Sequence, residues 1–187
     1  MKKDLSHIIT GCRKGDSRSQ KKLYDTYAPL FLSMAMRYTN SYEEAEDVMI
    51  HAFYKIFDKL DSFKGEGSFE GWMKRIVVNE SLMQIRKRNN LHLAVEINDV
   101  DSAETKNVVD DLQYQDLMQL LEQLPVGYRT VFNLYVIEGY KHREIAELLQ
   151  ISINTSKSQL ILAKKRLRTM IEQLESKKKD NRNQQIS

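Results

Sequence analysis

The sequence is poor in cysteine, proline and glycine, and it has no long apolar run. The single cysteine, Cys12, excludes an internal disulfide and is compatible with a reducing compartment. Two prolines and seven glycines among 187 residues favour helices over a strand-and-turn architecture. No apolar run approaches the roughly 18 residues of a membrane span, and the N-terminus lacks a signal-peptide core. We therefore expect an all-α, cytoplasmic protein that does not insert into a membrane.

The residue patterns of catalysis and metal binding are also absent from the sequence. The four histidines and Cys12 have no metal-ligand spacing. There is no nucleophile–base pair and no Gly-rich phosphate loop. We therefore predict no catalytic residues, no metal and no cofactor, so the chain is not expected to be an enzyme.

Charge is distributed unevenly along the chain, although the formal net charge is only +3. Acidic residues dominate between Asn89 and Leu112, and basic residues dominate between Lys141 and Arg182. This pattern favours two polyanion-facing modules joined by a linker, although solvated helix faces would give a similar one. We predict two small helical domains, an N-terminal helical bundle over residues 1–90 and a C-terminal four-helix domain over 112–176. A flexible acidic linker is expected over 91–111 and a basic disordered tail over 177–187.

The N-terminal domain is predicted to contain amphipathic helices and a glycine-containing loop. Apolar residues recur at spacings of three and one from Ala45 to Leu60, and a second helical pattern covers residues 20–39. Ser41 and Ser68 are positioned to cap helices. Between these helices and the next, Gly65 and Gly67 permit positive φ angles. In this loop Phe63 either anchors the loop or contacts an unstacked base.

The C-terminal domain has the layout of a helix-turn-helix. A short helix around residues 141–149 precedes a tight turn and a long final helix, for which Ser152 is a suitable cap. The spacing predicts that the final helix buries Ser156, Leu160, Ala163, Leu167, Met170 and Leu174. It predicts an exposed face of Asn154, Thr155, Ser158, Ile161, Leu162 and Lys165. Short polar groups near the helix N-terminus, with basic residues farther along, favour entry into the major groove of DNA.

Residues 46–56, 68–79 and 86–88 closely resemble the second conserved region of bacterial sigma factors. The compact form, with no insertion, is similar to the extracytoplasmic-function (ECF) group. The resemblance implies that an acidic helix docks on the clamp of the largest RNA polymerase subunit through Asp47, Ile50, His51 and Tyr54. It implies that a loop captures a flipped minus-ten base and that the next helix contacts the melted junction. The residues so implied are Asp61, Ser62, Phe63, Lys64, Gly65, Lys74, Arg75, Asn79 and Arg86.

Residues 124–167 resemble the fourth region of the same family, which reads the minus-thirty-five element as a duplex. The DNA contacts implied there are Arg143, Asn154, Thr155, Lys157, Ser158, Gln159 and Lys165. The chain departs from the common family pattern at His51, in place of glutamine, and at Ser156, Gln159 and Leu162. The resemblance implies core RNA polymerase, promoter DNA and an anti-sigma factor as partners.

Two other functions are compatible with parts of the sequence. A stand-alone helix-turn-helix regulator would use the C-terminal domain for DNA and the N-terminal bundle only for dimerisation. An α-helical adaptor would bind proteins alone. The first leaves the loop and helix over residues 61–79 without a purpose, and the second leaves the basic ridge from Lys74 to Arg88 without one.

Overall fold

The computed structural model describes residues 2–39, 41–89 and 114–184, and it divides into two compact units, Met1–Leu91 and His92–Ser187. In these ranges every regular element is helical. The N-terminal unit contains α1 (Lys2–Arg13), α2 (Ser17–Met36), α3 (Tyr42–Asp58), a short 3-10 turn (Leu60–Ser62) and α4 (Phe69–Asn89). The C-terminal unit contains α5 (Tyr114–Glu122), α6 (Val126–Phe132), a π-helical turn (Asn133–Ile137), α7 (His142–Leu149) and α8 (Ile153–Gln184). The predicted all-α fold class is confirmed. No helix in these ranges is long and apolar enough to cross a membrane.

The core of the N-terminal unit lies between α2, α3 and α4. Phe31 of α2 and Phe53 of α3 pack with their ring centroids 5.2 Å apart. Ile56, Met73 and Val77 are fully buried around the interface between α3 and α4. Each such side chain contributes about 1.5–3 kcal/mol through burial, so the amphipathic faces of these helices fix the bundle.

Helix α1 is an element that the sequence analysis did not predict. Its apolar residues Ile8 and Cys12 are buried, and Gly11 lies directly against Ser19 of α2. A Cβ added at Gly11 would clash with the Ser19 hydroxyl, so the absence of a side chain allows α1 to approach α2 closely. Asp16 then starts α2, because its carboxylate accepts a hydrogen bond of 3.0 Å from the Ser19 amide.

An ion pair joins α3 to α4 on one side of this bundle. The ammonium group of Lys55 lies 2.6 Å from the Glu80 carboxylate, and the two side chains are 33% and 10% exposed. The Met83 sulfur lies 3.7 Å from the same ammonium group. Because Glu80 is almost inaccessible to solvent, its charge depends on Lys55 for compensation.

The C-terminal unit is a helix-turn-helix with two supporting helices, as predicted. Phe132, Leu134 and Ile145 are buried against the inner face of α8. That face contains the predicted residues Ser156, Leu160, Ala163 and Leu167, all buried. Farther along the helix the prediction is wrong, because Ile171 is buried whereas Met170 and Leu174 are only half-buried.

The predicted linker and the predicted tail lie at the edges of the described residues. The linker over residues 91–111 lies outside the described residues. The tail was expected to be disordered from residue 177, whereas α8 continues to Gln184. The predicted disordered tail is therefore wrong for the backbone of residues 177–184.

Candidate nucleic-acid and protein interfaces

One face of α3 exposes the four residues predicted to contact polymerase. Asp47, Ile50, His51 and Tyr54 follow one another at helical spacings of three, one and three, which places them on a single stripe. All four are exposed, with Ile50 at 50% and Tyr54 at 70% exposure. Two large apolar side chains flanked by an acidic residue and a histidine form a surface suited to a protein partner. We call these four residues the α3 stripe.

The loop between α3 and α4 is open to solvent and is anchored by an aromatic cluster. Gly65 and Gly67 adopt φ angles of 81° and 80°, which confirms the prediction of positive φ at both positions. The ring of Phe63 lies 5.1 Å from Phe69 and 5.6 Å from Trp72. Phe63 is therefore half-buried at the base of the loop. The other loop residues predicted to bind DNA, Asp61, Ser62, Lys64 and Gly65, are exposed.

Arg13 of α1 holds this loop, and the sequence analysis did not find it. Its guanidinium donates hydrogen bonds to the carbonyl oxygens of Phe63, at 2.6 Å, and Leu60, at 3.5 Å. The same group lies 3.7 Å from the Asp61 carboxylate. The apolar spacing from Leu5 through Ile8 and Ile9 to Cys12 indicates a helix, but no sequence signal pairs Arg13 with a loop some fifty residues away.

The predicted basic residues of α4 are largely exposed, but the charge of Lys74 is partly neutralised. Ser68 caps the helix by accepting a hydrogen bond of 3.2 Å from the Gly71 amide, as predicted. Arg75, Asn79 and Arg86 are exposed and lie on one face of the helix. Lys74 is half-buried, and its ammonium group lies 2.7 Å from Glu70, so part of its charge is neutralised locally.

The first turns of α8 present a row of short polar side chains. Ser152 caps the helix by accepting a 2.9 Å hydrogen bond from the Thr155 amide, and its hydroxyl lies 2.8 Å from the Thr155 hydroxyl. The Ser158 hydroxyl donates to the Asn154 carbonyl oxygen at 2.9 Å. Asn154 is exposed, whereas Thr155 and Ser158 are half-buried. Ile161 and Leu162 are also half-buried, so the apolar part of the predicted face is less exposed than the sequence indicates.

Basic side chains border this row. Lys157 and Lys165 are exposed on α8. Arg143 of α7 is also exposed, and its guanidinium lies 3.6 Å from Glu147, in a pair whose side chains are 84% and 72% exposed. A pair this exposed is weak, so Arg143 can exchange Glu147 for another anion.

Gln159 was predicted to bind DNA, but the structure places it inside the C-terminal unit. Its side chain is only 2% exposed and packs across Gly127 of α6. A Cβ at Gly127 would lie 3.3 Å from the Gln159 amide nitrogen, so the glycine makes room for this side chain. Gln159 therefore stabilises the contact between α6 and α8 and does not face DNA.

His142 and Ser156 form a partly buried polar contact that the sequence did not predict. The His142 Nδ1 lies 2.9 Å from the Ser156 hydroxyl, and the imidazole stacks on Tyr135 with a centroid distance of 4.4 Å. Burial of the ring, together with the charges of Lys157 and Lys164, lowers the pKa of His142 below its usual range. The contact spans the turn of the helix-turn-helix, so no local spacing predicts it.

Comparison with known families places the two units in one protein family. Residues 23–90 match the family model described as sigma-70 region 2, and residues 114–167 match the model described as sigma-70 region 4. The chain is 27% identical over 179 residues to the ECF RNA polymerase sigma factor SigW of Bacillus subtilis, with 89% of this chain and 96% of the relative covered. It is 25% identical over 171 residues to the RNA polymerase sigma-H factor of Pseudomonas aeruginosa, with coverage of 84% and 88%. The chain belongs to the ECF group of sigma factors.

Solved structures have the same fold as this sigma factor. The sigma factor RpoE of Bartonella quintana, in complex with the anti-sigma factor NepR, superimposes with a TM-score of 0.54 at 25% identity, over 81% of this chain and 96% of that chain. CnrH, in complex with the cytosolic domain of CnrY, gives a TM-score of 0.52 at 19% identity over 88% and 95% of the two chains.

The family matches include most, but not all, of the candidate interfaces. The α3 stripe, the loop and α4 lie inside the region 2 match, and the polar row of α8 lies inside the region 4 match. Helix α1 (Lys2–Arg13) precedes the region 2 match. As a sigma factor, the protein acts in the initiation of transcription by RNA polymerase.

Proposed function

We propose that this sigma factor reads two promoter elements in two physical states, the minus-thirty-five element as duplex DNA and the minus-ten element as a melted strand. The observation that supports this proposal is the presence, in one chain, of two exposed surfaces of different chemistry. One is an open loop with polar groups and an aromatic anchor. The other is a helix face with short polar side chains next to its N-terminus.

The loop suits a base that has left the stack. Removing a base from duplex DNA costs a few kcal/mol, and stacking on an aromatic ring recovers about 1–3 kcal/mol per base. Phe63 is held in place by Phe69 and Trp72, so its ring loses little freedom when a base approaches. Polar groups of Asp61, Ser62 and Lys64 then supply hydrogen bonds to the base edge. The exposed residues of α4, Arg75, Asn79 and Arg86, contact the backbone at the junction between melted and paired DNA.

The polar row of α8 suits paired DNA. A helix fits the major groove, where each base pair presents its own donors and acceptors. Asn154, Thr155 and Ser158 reach base edges, while Lys157, Lys165 and Arg143 contact phosphates. Phosphate contacts position the protein, and the short side chains supply sequence preference.

The α3 stripe is the proposed docking site on the clamp of the largest core RNA polymerase subunit. Ile50 and Tyr54 provide the apolar contacts, and Asp47 contributes charge complementary to a basic surface. The solved relative RpoE is held by an anti-sigma factor, so we propose that a protein of this kind also regulates this chain by covering the α3 stripe. Such a sigma factor works in the cytoplasm and leaves the polymerisation chemistry to the enzyme that it binds.

Reconstituted transcription tests the proposal. The purified chain is mixed with core RNA polymerase and genomic DNA fragments, and transcript start sites are mapped. We expect a stable complex and start sites that share two upstream sequence elements. A chain that binds duplex DNA without joining polymerase is a stand-alone regulator, and a chain that binds protein alone is an adaptor. Either result refutes the proposed function.

A further inference from the structure

A cleft with a volume of about 570 Å³ lies between α1 and the loop that follows α3. From the loop it is lined by Asp61, Phe63 and Lys64, which the proposed function already uses. From α1 it is lined by Ser6, Thr10 and Arg13, which have no role in that proposal. The volume falls within the range of about 300–1,000 Å³ that is usual for small-ligand sites. The cleft therefore has room for one heterocyclic base.

Arg13 determines where the loop side of this cleft lies. Its guanidinium hydrogen-bonds to the backbone at both Leu60 and Phe63, so one side chain of α1 holds the start and the end of the same turn. The Nη2 group donates to both carbonyl oxygens, and Nε lies 3.7 Å from the Asp61 carboxylate, so the planar guanidinium contacts three residues of the loop. Loss of Arg13 would release the loop from α1 without removing any residue of the loop itself.

The chemistry of the cleft favours a flat group with polar edges. Phe63 contributes an aromatic ring, Lys64 a donor and Asp61 an acceptor. The Thr10 hydroxyl donates to the Ser6 carbonyl at 2.9 Å, so its oxygen retains lone pairs that accept hydrogen bonds. Donors and acceptors next to an aromatic ring match the edge and face of a nucleobase.

We propose that α1 forms the second wall of a pocket for an unstacked DNA base, with Ser6 and Thr10 contacting the base edge and Arg13 positioning the loop. The proposal rests on the reading of a melted strand by the loop in the proposed function. It adds specificity-determining residues from a helix that precedes the region 2 match.

Strand binding by the full-length chain tests the contact residues. Trp72 is the only tryptophan in the chain and lies 5.6 Å from Phe63, so its fluorescence reports on a base that enters the cleft. The probes are single-stranded homopolymers of dA, dC and dT and a mixed-sequence strand, each of about 12 nucleotides. We expect at least one strand to quench Trp72, and Thr10→Val to weaken that strand by about threefold to tenfold, as the loss of one hydrogen bond predicts.

Thr26→Val is the matched control for Thr10→Val. The Thr26 hydroxyl makes the same kind of bond, to the Lys22 carbonyl at 2.7 Å, on the exposed surface of α2. We expect Thr26→Val to bind as the wild type does. Equal binding by both threonine variants, or no quenching of the wild type by any strand, overturns the base-contact assignment.

The salt dependence of binding separates positioning by Arg13 from a direct phosphate contact. We expect Arg13→Ala to weaken strand binding by about tenfold or more, as the release of charge-assisted hydrogen bonds predicts. The slope of log affinity against log salt should stay unchanged, and Arg13→Lys should give an intermediate affinity. By contrast, Arg75→Ala should reduce that slope by about 0.7. A similar reduction for Arg13→Ala, or unchanged affinity, refutes the positioning role.

Start-site mapping with core polymerase on the same variants distinguishes this proposal from the proposed function. If the wild type selects start sites but the α1 variants bind single strands normally, the pocket proposal is wrong and the proposed function stands. A wild type that selects no start sites overturns the proposed function, whatever its strand affinity.

Discussion

The two domains of this sigma factor have candidate DNA-binding surfaces of opposite shape. The N-terminal domain offers a recess, bounded by α1 and by a loop anchored on Phe69 and Trp72. The C-terminal domain offers a convex helix, with Asn154, Thr155 and Ser158 near its N-terminus. A recess can take a base only after the base has left the stack, whereas a convex helix can enter a groove of intact duplex. This difference in shape is why we propose that one domain reads melted DNA and the other reads duplex DNA.

The domains also differ in how they bury polar groups. The N-terminal domain buries an ion pair between Lys55 and Glu80. In the C-terminal domain, the His142 Nδ1 lies 2.9 Å from the Ser156 hydroxyl, and burial of the ring lowers the pKa of His142. Loss of the ion pair should lower the stability of the N-terminal domain, whereas loss of His142 should change how the stability of the C-terminal domain depends on pH. Each contact therefore provides a test of one domain.

The largest expected effect concerns the α3 stripe, which belongs to the N-terminal domain alone. Tyr54→Ala should weaken binding to core polymerase by about tenfold to a hundredfold, because exposed tyrosines at interface centres are frequent hot spots. Tyr42→Ala is the matched control, since Tyr42 lies on the same helix, outside the stripe, and is 54% exposed. Labelled core polymerase in a fluorescence titration measures both. Equal losses for the two variants would show that the stripe is not the docking surface.

A second effect concerns the buried ion pair. Lys55→Ala should lower the free energy of unfolding of the N-terminal domain by about 1–3 kcal/mol, because Glu80 remains buried without its partner. Lys21→Ala is the control: its pair with Asp25 is also 2.6 Å long, but the two side chains are 74% and 56% exposed. That variant should lose less than about 0.5 kcal/mol. Chemical denaturation followed by Trp72 fluorescence reports on this domain selectively, and similar losses for both variants would contradict the account.

A third effect separates structure from DNA reading at two adjacent residues of α8. Gln159→Ala should destabilise the C-terminal domain by about 1–2 kcal/mol, because it leaves a cavity beside Gly127, while minus-thirty-five preference is unchanged. Ser158→Ala should do the reverse, with stability within about 0.5 kcal/mol of the wild type and a change of about 1–3 kcal/mol in discrimination at one base pair. Thermal unfolding and binding to duplex variants measure the two quantities. A loss of DNA preference in Gln159→Ala would restore Gln159 to the interface.

The smallest effect is the pH response of the C-terminal domain. The folded domain disfavours protonated His142, so its pKa in the folded state lies below that in the unfolded state. Between these two values the unfolded chain binds more protons, so stability falls as the pH drops below about 6.5. His142→Gln should remove this part of the pH dependence. Unfolding midpoints of both proteins from pH 7.5 to pH 5 provide the measurement, and identical pH profiles would refute the role of His142.

Local patterns predicted the helices other than α1 and the caps at Ser68 and Ser152, because these depend on residues close together in sequence. Ser68 and Ser152 cap the helices that their positions indicate. Contacts between distant residues could not be predicted in this way. Arg13 hydrogen-bonds to a loop that follows α2 and α3 in the sequence, and His142 meets Ser156 only after the turn has formed.

The predictions for the recognition helix contain two specific errors. Gln159 was assigned to DNA through the resemblance to the family's fourth region, yet the absence of a side chain at Gly127 lets α6 and α8 enclose it. On α8 the buried face passes through Ile171 rather than Met170. The exposure of one polar residue depends on the residues that pack opposite it, and the sequence of one helix does not contain that information.

Promoter binding and promoter opening, measured separately in the polymerase complex, test the division of labour between the two domains most directly. Duplex binding is followed by a mobility shift, and opening by the reactivity of unpaired thymines to permanganate. We expect Phe63→Ala with Lys64→Ala to abolish opening and to leave duplex binding nearly intact. We expect Thr155→Ala with Ser158→Ala to weaken duplex binding, while the DNA that is bound still opens. If each double variant impairs both steps equally, the two domains do not divide the reading of melted and paired DNA.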